Sequence, residues 1–128
     1  MKKDIEDFKD IQLLVDTFYS KVRKNPVIGG IFESSIEDWP THLEILYSFW
    51  ESLLFDKNTY TGNPLAVHMA MPLEEQHFEV WLGLWRETHE ELFVGPRSQE
   101  AIQRAELIAQ IFQRKIEQKG KFTFKPFS

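Results

Sequence analysis

The chain lacks cysteine altogether, which excludes disulfide bonds and thiolate metal sites and fits a reducing cytoplasm. It also lacks a basic excess: 20 acidic residues against 15 Lys and Arg give a net charge of -5. That balance argues against nucleic acid as a partner, because a surface that binds phosphates needs clustered positive charge.

No stretch approaches the roughly 18 apolar residues of a membrane span. The N-terminal "MKKDIEDFKD" has no apolar run of the kind found in signal peptides. We therefore expect a soluble, cytoplasmic protein with no membrane partner.

Strand-like alternation is missing as well, and apolar residues recur at intervals of three and four over most of the chain. The 128 residues suffice for one domain with one core. We predict a single all-α domain over residues 1–128, with 121–128 as a loosely ordered tail. Asp38 should cap one helix, and Gly29-Gly30 should limit the preceding segment to a short turn. The predicted helices span residues 4–24, 38–55, 74–93 and 98–119.

Aromatic side chains are abundant: 11 Phe, 4 Trp and 3 Tyr make up 14% of the chain. Such a surplus can fill an ordinary core, or it can line a pocket for a large flat ligand. One apolar segment, "NPLAVHMAMP" (63–72), holds a single imidazole, His68, between Pro64 and Pro72. Because the prolines keep the segment short, it is not part of a long helix. Whether His68 is bonded to backbone or binds a ligand stays open at this point.

The chain has four histidines, and no two of them have the HxxxH or HExxH spacing of a helical metal site. His77 and His89 lie on a helix rich in glutamate, where a solvated or boundary histidine is the usual case. Glu74 and His77 match one half of a di-iron bundle site, but no second Glu-x-x-His follows. His42 differs, because it begins the apolar stripe of its helix.

His42, His68 and Tyr19 form a set of polar rings on predicted apolar faces of separate elements. A buried polar group without a partner costs about 1–3 kcal/mol, so each of them needs one. They could satisfy one another, or water, or a ligand. Haem would explain all three together with the aromatic surplus, because a neutral imidazole coordinates its iron and polar groups opposite can bond to a ligand.

Five stretches of sequence, in this order and at this spacing, resemble the truncated haemoglobins, and within them group III. The resemblance covers most of the chain, from Phe8 to Phe112. It is carried by "FYSKVRKNPVIGGIF" (18–32), "DWPTHLEILYSFW" (38–50), "YTGNPLAVHMAMP" (60–72), "HFEVWLGLW" (77–85) and "RAELIAQIF" (104–112).

This resemblance implies a truncated globin fold, a two-over-two helical sandwich around haem b, with a very short or absent first helix. It implies that the proximal region is mostly loop and that His68 is the axial ligand of the iron. Tyr19 and Trp81 match the hydrogen-bond donors of the distal pocket, and His42 matches the distal histidine of group III.

The resemblance also implies which apolar residues touch the haem. Phe32 matches the phenylalanine that wedges against it, and Leu46 matches the distal apolar residue one turn after His42. Met69 and Met71 are flexible apolar residues suited to the proximal side, and neither is expected to bind iron.

The function implied by the resemblance is binding of dioxygen, nitric oxide or another small diatomic ligand. Two donors, Tyr19 and Trp81, predict tight binding and slow release, which suit scavenging or redox chemistry on O2, NO or peroxide better than transport. An NO dioxygenase or peroxidase-like activity would need a reductase as partner. His42 could gate the pocket, act as an acid or base, coordinate the iron or lie at the pocket edge. The alternative is a haem-free helical interaction module in which these side chains only pack.

Overall fold

The structure is a computed structural model that describes residues 2–56 and 73–124, with side chains described up to residue 114. Within these ranges the chain forms five α-helices, so the all-α prediction is confirmed. They are α1 (Phe8–Lys24), α2 (Gly29–Ser35), α3 (Trp39–Phe55), α4 (Glu75–Leu92) and α5 (Pro96–Phe124). In the described part of the chain, no helix is both long and apolar enough to cross a lipid bilayer.

The helices pack as two pairs. Helix α1 packs against α3, and α4 packs against α5. The pairs are joined by a contact between α1 and α4 and a smaller one between α3 and α5. This is the predicted two-over-two sandwich, and the short α2 lies against α1.

The start of α3 follows the prediction from sequence. The Asp38 side chain accepts a hydrogen bond from the amide of Thr41 at 3.2 Å, and Pro40 occupies the first turn. At the other end of the chain, α5 continues to Phe124, beyond the predicted end at Lys119. That residues 121–128 form a loosely ordered tail stays a prediction.

The start of α1 differs from the prediction, because the helix begins at Phe8 rather than at Asp4. The Asp4 carboxylate instead accepts hydrogen bonds from the amides of Arg97 and Ser98, both at 2.9 Å. These amides belong to the first turn of α5, whose N–H groups have no partner within the helix. Arg97 also donates to the carbonyl of Ile5 at 2.8 Å. Residues 4 and 5 therefore cap α5 and do not extend α1.

The centre of the core is aromatic. Trp85 is stacked on Trp50 with 4.7 Å between ring centroids, and Phe18 meets Trp85 edge to face at 4.9 Å. The buried indole N–H of Trp85 donates to the carbonyl of Ala101 at 3.1 Å, which fixes α4 against α5. Part of the aromatic surplus thus serves ordinary packing.

His89 was expected to be a solvated or boundary residue, and that expectation is wrong. Its side chain is only 1% exposed, packed edge to face on Trp85 at 4.7 Å between centroids. Nδ1 lies 2.7 Å from the hydroxyl of Ser98. The reason for the error is that the surrounding glutamates point outward, while position 89 lies on the inner face of α4, opposite α5.

The buried His89 should make the protein less stable in acid. Burial lowers the pKa of His89 to about 4, although the charge of Asp4 opposes this. An unfolded histidine binds its proton near pH 6.5, so the unfolded chain holds more protons between that pH and about 4. Neutral His89 therefore contributes to the free energy of unfolding above about pH 6.5, and this contribution is lost as the pH falls from about 6.5 towards about 4. Urea denaturation should show a loss of about 2 kcal/mol between pH 7 and pH 5 from this residue alone.

The control for this prediction is a histidine at the helix surface. His89→Gln should flatten the pH dependence of the free energy of unfolding, whereas His77→Gln should retain it. An unchanged slope in His89→Gln would assign the acid sensitivity to other groups.

Candidate functional site

Three rings meet where α1 and α3 pack together. Tyr19, on the inner face of α1, is 3% exposed, and His42, in the first turn of α3, is 9% exposed. Their ring centroids are 5.8 Å apart, with the rings edge to face. Trp39 completes the group at 5.9 Å from Tyr19 and 5.7 Å from His42. Because α3 begins at its Asp38 cap, Trp39 and His42 are three residues apart and share one helix face.

Trp81, on α4, faces the same cluster. Its ring lies 5.6 Å from that of Phe18, which itself contacts Tyr19 at 4.7 Å. Burial raises the pKa of Tyr19, and the nearby indole of Trp81 opposes that rise only in part, so the phenol is protonated at neutral pH. The indole N–H of Trp81 is buried, and no described residue accepts a hydrogen bond from it with normal geometry. Two buried donors thus lie close together, and the Trp81 indole N–H interacts with the Tyr19 hydroxyl without reaching normal hydrogen-bond geometry.

Phe32 and Leu46 are buried close to the ring cluster. Phe32 is buried on α2 with its ring 6.1 Å from that of Tyr19. It can approach because α2 begins against the end of α1: a Cβ on Gly29 would lie 2.6 Å from the carbonyl oxygen of Arg23. Leu46 is buried one turn after His42 on α3. The structure thus places Tyr19, Phe32 and His42 in one cluster, with Leu46 beside it along the helix.

A narrow apolar cleft adjoins the cluster at Phe32 and Trp81. Leu73, which also lines it, directly follows the segment 57–72 in sequence. Leu73 is thus the first described residue after the segment that contains His68 in sequence. The cleft is lined by Phe32, Leu73, His77, Phe78, Trp81 and Phe112.

His68, Met69 and Met71 lie outside the described residues. Their expected roles, His68 as the axial ligand and the two methionines as proximal contacts, therefore stay predictions. Among the residues that are described, no group of three or more His, Cys, Asp or Glu side chains is placed to hold a metal ion.

His77 has a structural role at the start of α4. Its Nδ1 accepts a hydrogen bond from the amide of Glu74 at 2.8 Å, and the Glu74 side chain caps the helix in return. The Glu74–His77 pair is therefore a helix cap, and this accounts for its spacing without a di-iron site.

These side chains fit a site for haem. The protonated phenol of Tyr19 and the indole N–H of Trp81 are buried hydrogen-bond donors, which would face a ligand bound to a haem iron. Phe32, Leu46 and the side chains that line the apolar cleft would contribute apolar contacts to a flat macrocycle. What the described residues do not supply is an axial ligand, and the sequence offers His68 for that position.

The two-over-two helix packing is that of a truncated globin. No sequence-family model matches the chain. It is, however, 32% identical over 125 residues to a group 3 truncated haemoglobin of Campylobacter jejuni, covering 94% of this chain and 98% of that protein. The chain therefore belongs to the group III truncated haemoglobins.

Solved structures agree with this assignment. The crystal structure of the group III truncated haemoglobin from Campylobacter jejuni aligns with a TM-score of 0.80 at 33% identity, over 91% of this chain and 95% of that one. A truncated oxygen-avid haemoglobin from Bacillus subtilis aligns with a TM-score of 0.72 at 25% identity, over 83% and 92% of the two chains. The predicted family and fold are confirmed.

Trp39 belongs to the ring cluster, although the sequence pattern did not indicate it. At the first position of a helix, a tryptophan is usually interpreted as a packing residue. The available signal was its spacing, because a residue three positions before His42 lies on the same face of α3.

Proposed function

We propose that this protein binds haem b, with the neutral imidazole of His68 as axial ligand, and binds dioxygen, nitric oxide or another diatomic on the opposite side. The observation that supports this most directly is the buried group of Tyr19, His42 and Trp81, which brings a phenol, an imidazole and an indole N–H together between the helices. Family membership supports the cofactor, and the sequence position of His68 supports the ligand.

In this proposal the haem supplies an iron that coordinates the diatomic ligand, and the protein supplies donors. The hydroxyl of Tyr19 and the indole N–H of Trp81 donate to the bound ligand. Because they are buried, they compete little with water, and a donor to a charged acceptor contributes about 1.5–3 kcal/mol. Release of the ligand is therefore slow, which suits scavenging or redox chemistry and does not suit transport.

His42 is proposed to act on Tyr19 and on the ligand. The edge-to-face contact of the two rings, with centroids 5.8 Å apart, lets the imidazole influence the orientation of the phenol. His42 is buried beside Tyr19, so among its open roles one inside the pocket accords better with its position than one at the pocket edge.

The direct test is an absorption spectrum of the protein reconstituted with haem. We expect stoichiometric binding, a five-coordinate ferrous spectrum, and conversion to the oxygenated form on aeration. A protein that leaves haem unbound, or binds it without saturation at one equivalent, would be a helical interaction module in which these side chains only pack.

The reaction class needs a second assay. If the protein is an NO dioxygenase, one NO, one O2 and one electron from a reductase or chemical reductant should give one nitrate. Nitrate formation that does not rise above the haem-free background would limit the proposal to ligand binding or to chemistry on peroxide.

A further inference from the structure

A groove on the outer face of the molecule runs between α1 and α3. Unlike the apolar cleft, it opens to solvent and is flanked by charged side chains. Its floor reaches Tyr19, the proposed donor to the ligand. The residues that matter here are Tyr19, Arg23, Glu33, Trp39 and Leu43, all of which line it.

Trp39 belongs both to the wall of this groove and to the cluster of Tyr19 and His42 rings. It lines the groove, and its ring contacts both Tyr19 and His42. It is 8% exposed and contacts His42, which is not among the described residues that line the groove. A small molecule that moves from the groove past Tyr19 to His42 therefore passes beside this indole.

Arg23 covers Trp39 from outside. Its guanidinium carbon lies 4.4 Å from the centroid of the Trp39 ring, and its Nε forms an ion pair with Glu33. The side chains of Arg23 and Glu33 are 43% and 44% exposed. At such exposure, stacking and ion pairing are both weak and exchange readily with water. The cover therefore joins α1, α2 and α3 through side chains that can move without changing the helices.

The indole N–H of Trp39 further favours rotation of the Trp39 ring. It is buried, and no described residue accepts a hydrogen bond from it. A buried donor without an acceptor is unfavourable, whereas a ring turned into the groove would expose this N–H to water. The closed position of Trp39 is thus held by packing and by Arg23, and it is opposed by desolvation of its own donor.

We propose that Arg23, Glu33 and Trp39 form a gate on a path of diatomic ligands between solvent and the Tyr19–His42 pocket. The inference rests on the proposed function, since it requires a ligand in that pocket. Opening consists of release of Arg23 from Glu33 and rotation of Trp39 into the groove. The gate sets the rates of entry and exit and leaves the affinity of the pocket unchanged.

Carbon monoxide binding to the ferrous haem-loaded protein tests the gate. Arg23→Ala should raise both the association and the dissociation rate constants by the same factor, about two- to tenfold, because it removes one stacking contact and one ion pair. The equilibrium dissociation constant should stay the same. Glu33→Gln, which retains the stacked arginine, should give a smaller change in the same direction.

The matched control is Arg104→Ala, which removes an arginine of similar exposure that pairs with Glu100 on α5 and has no ring beneath it. Its rates should equal those of the unmodified protein. Equal rates in Arg23→Ala as well would show that there is no gate here. A change in the dissociation rate alone would also overturn the gate, since it would make Arg23 a group that stabilises the bound ligand.

A second measurement follows Trp39 itself. In the carbon monoxide complex, hydrogen exchange of the Trp39 indole N–H, assigned by the missing signal in Trp39→Phe, should be faster in Arg23→Ala than in Arg104→Ala. Equal exchange would contradict the gate. If neither the unmodified protein nor any variant forms a carbon monoxide complex, the result contradicts the proposed function on which the gate rests.

Discussion

Replacing His68 with glycine should abolish stable haem binding with histidine ligation. A single imidazole suffices to bind haem iron, and each of the three described histidines already has other contacts. His42 contacts Tyr19 and Trp39, His77 caps α4, and His89 is buried beside Ser98. The measurement is a haem titration followed by resonance Raman spectroscopy of the iron–histidine stretch. Added imidazole should restore a five-coordinate spectrum, because it refills the cavity left by the side chain.

The matched control for His68→Gly is His77→Gln. His77 lines the apolar cleft but has its Nδ1 committed to the amide of Glu74, so its replacement should leave the iron–histidine stretch in place. If His68→Gly keeps stable haem and the same axial ligation without imidazole, His68 is not the ligand. If His77→Gln loses that ligation, the assignment moves to His77.

Tyr19→Phe should speed dissociation of dioxygen by about ten- to a hundredfold. The hydroxyl is the only group removed, and a hydrogen bond to a charged acceptor contributes about 1.5–3 kcal/mol, which corresponds to that factor. The ring itself stays, so its packing against Phe18 and Trp39 should be retained. Stopped-flow mixing of the oxygenated protein with excess carbon monoxide gives the rate.

Tyr47→Phe is the control, because Tyr47 also loses a hydroxyl hydrogen bond, to Asp16, but lines the outer groove and is not part of the Tyr19–His42–Trp81 cluster. Its oxygen dissociation rate should match that of the unmodified protein. An unchanged rate in Tyr19→Phe would remove Tyr19 from the role of donor. Opening the gate by mutation changes the association and dissociation rate constants together, whereas loss of the Tyr19 donor is expected to speed dissociation. This difference distinguishes the two proposals.

Structural features that depend on residues close together in sequence could be predicted from local sequence patterns. The Asp38 cap with Pro40 after it located the start of α3, and the apolar stripes located Tyr19 and His42 on inward faces. Because both residues lie on inward faces and the sequence resembles a known family, a contact between Tyr19 and His42 in one cluster could be expected. Trp81 was placed near them by the resemblance alone, since its helix is distant in sequence.

Other features depend on contacts between distant residues and could not be predicted from the sequence. His89 is surrounded by glutamates in sequence, but it is buried because Ser98 and Trp85 meet it on the inner face. Asp4 has the pattern of a residue at a helix start, and it does cap a helix, but that helix is α5. Trp39 became a site residue only through the packing of α3 on α1.

The hydrogen bonds from Arg97 and Ser98 to Asp4 also affect the order of folding. The residues they join are 93 and 94 positions apart, so the chain must close a very long loop before the first turn of α5 is capped. Contacts of such high sequence separation slow folding, because the entropy of closure is lost before the contact forms. We expect the amides at 97 and 98 to gain protection from hydrogen exchange late in refolding, after those in the middle of α1.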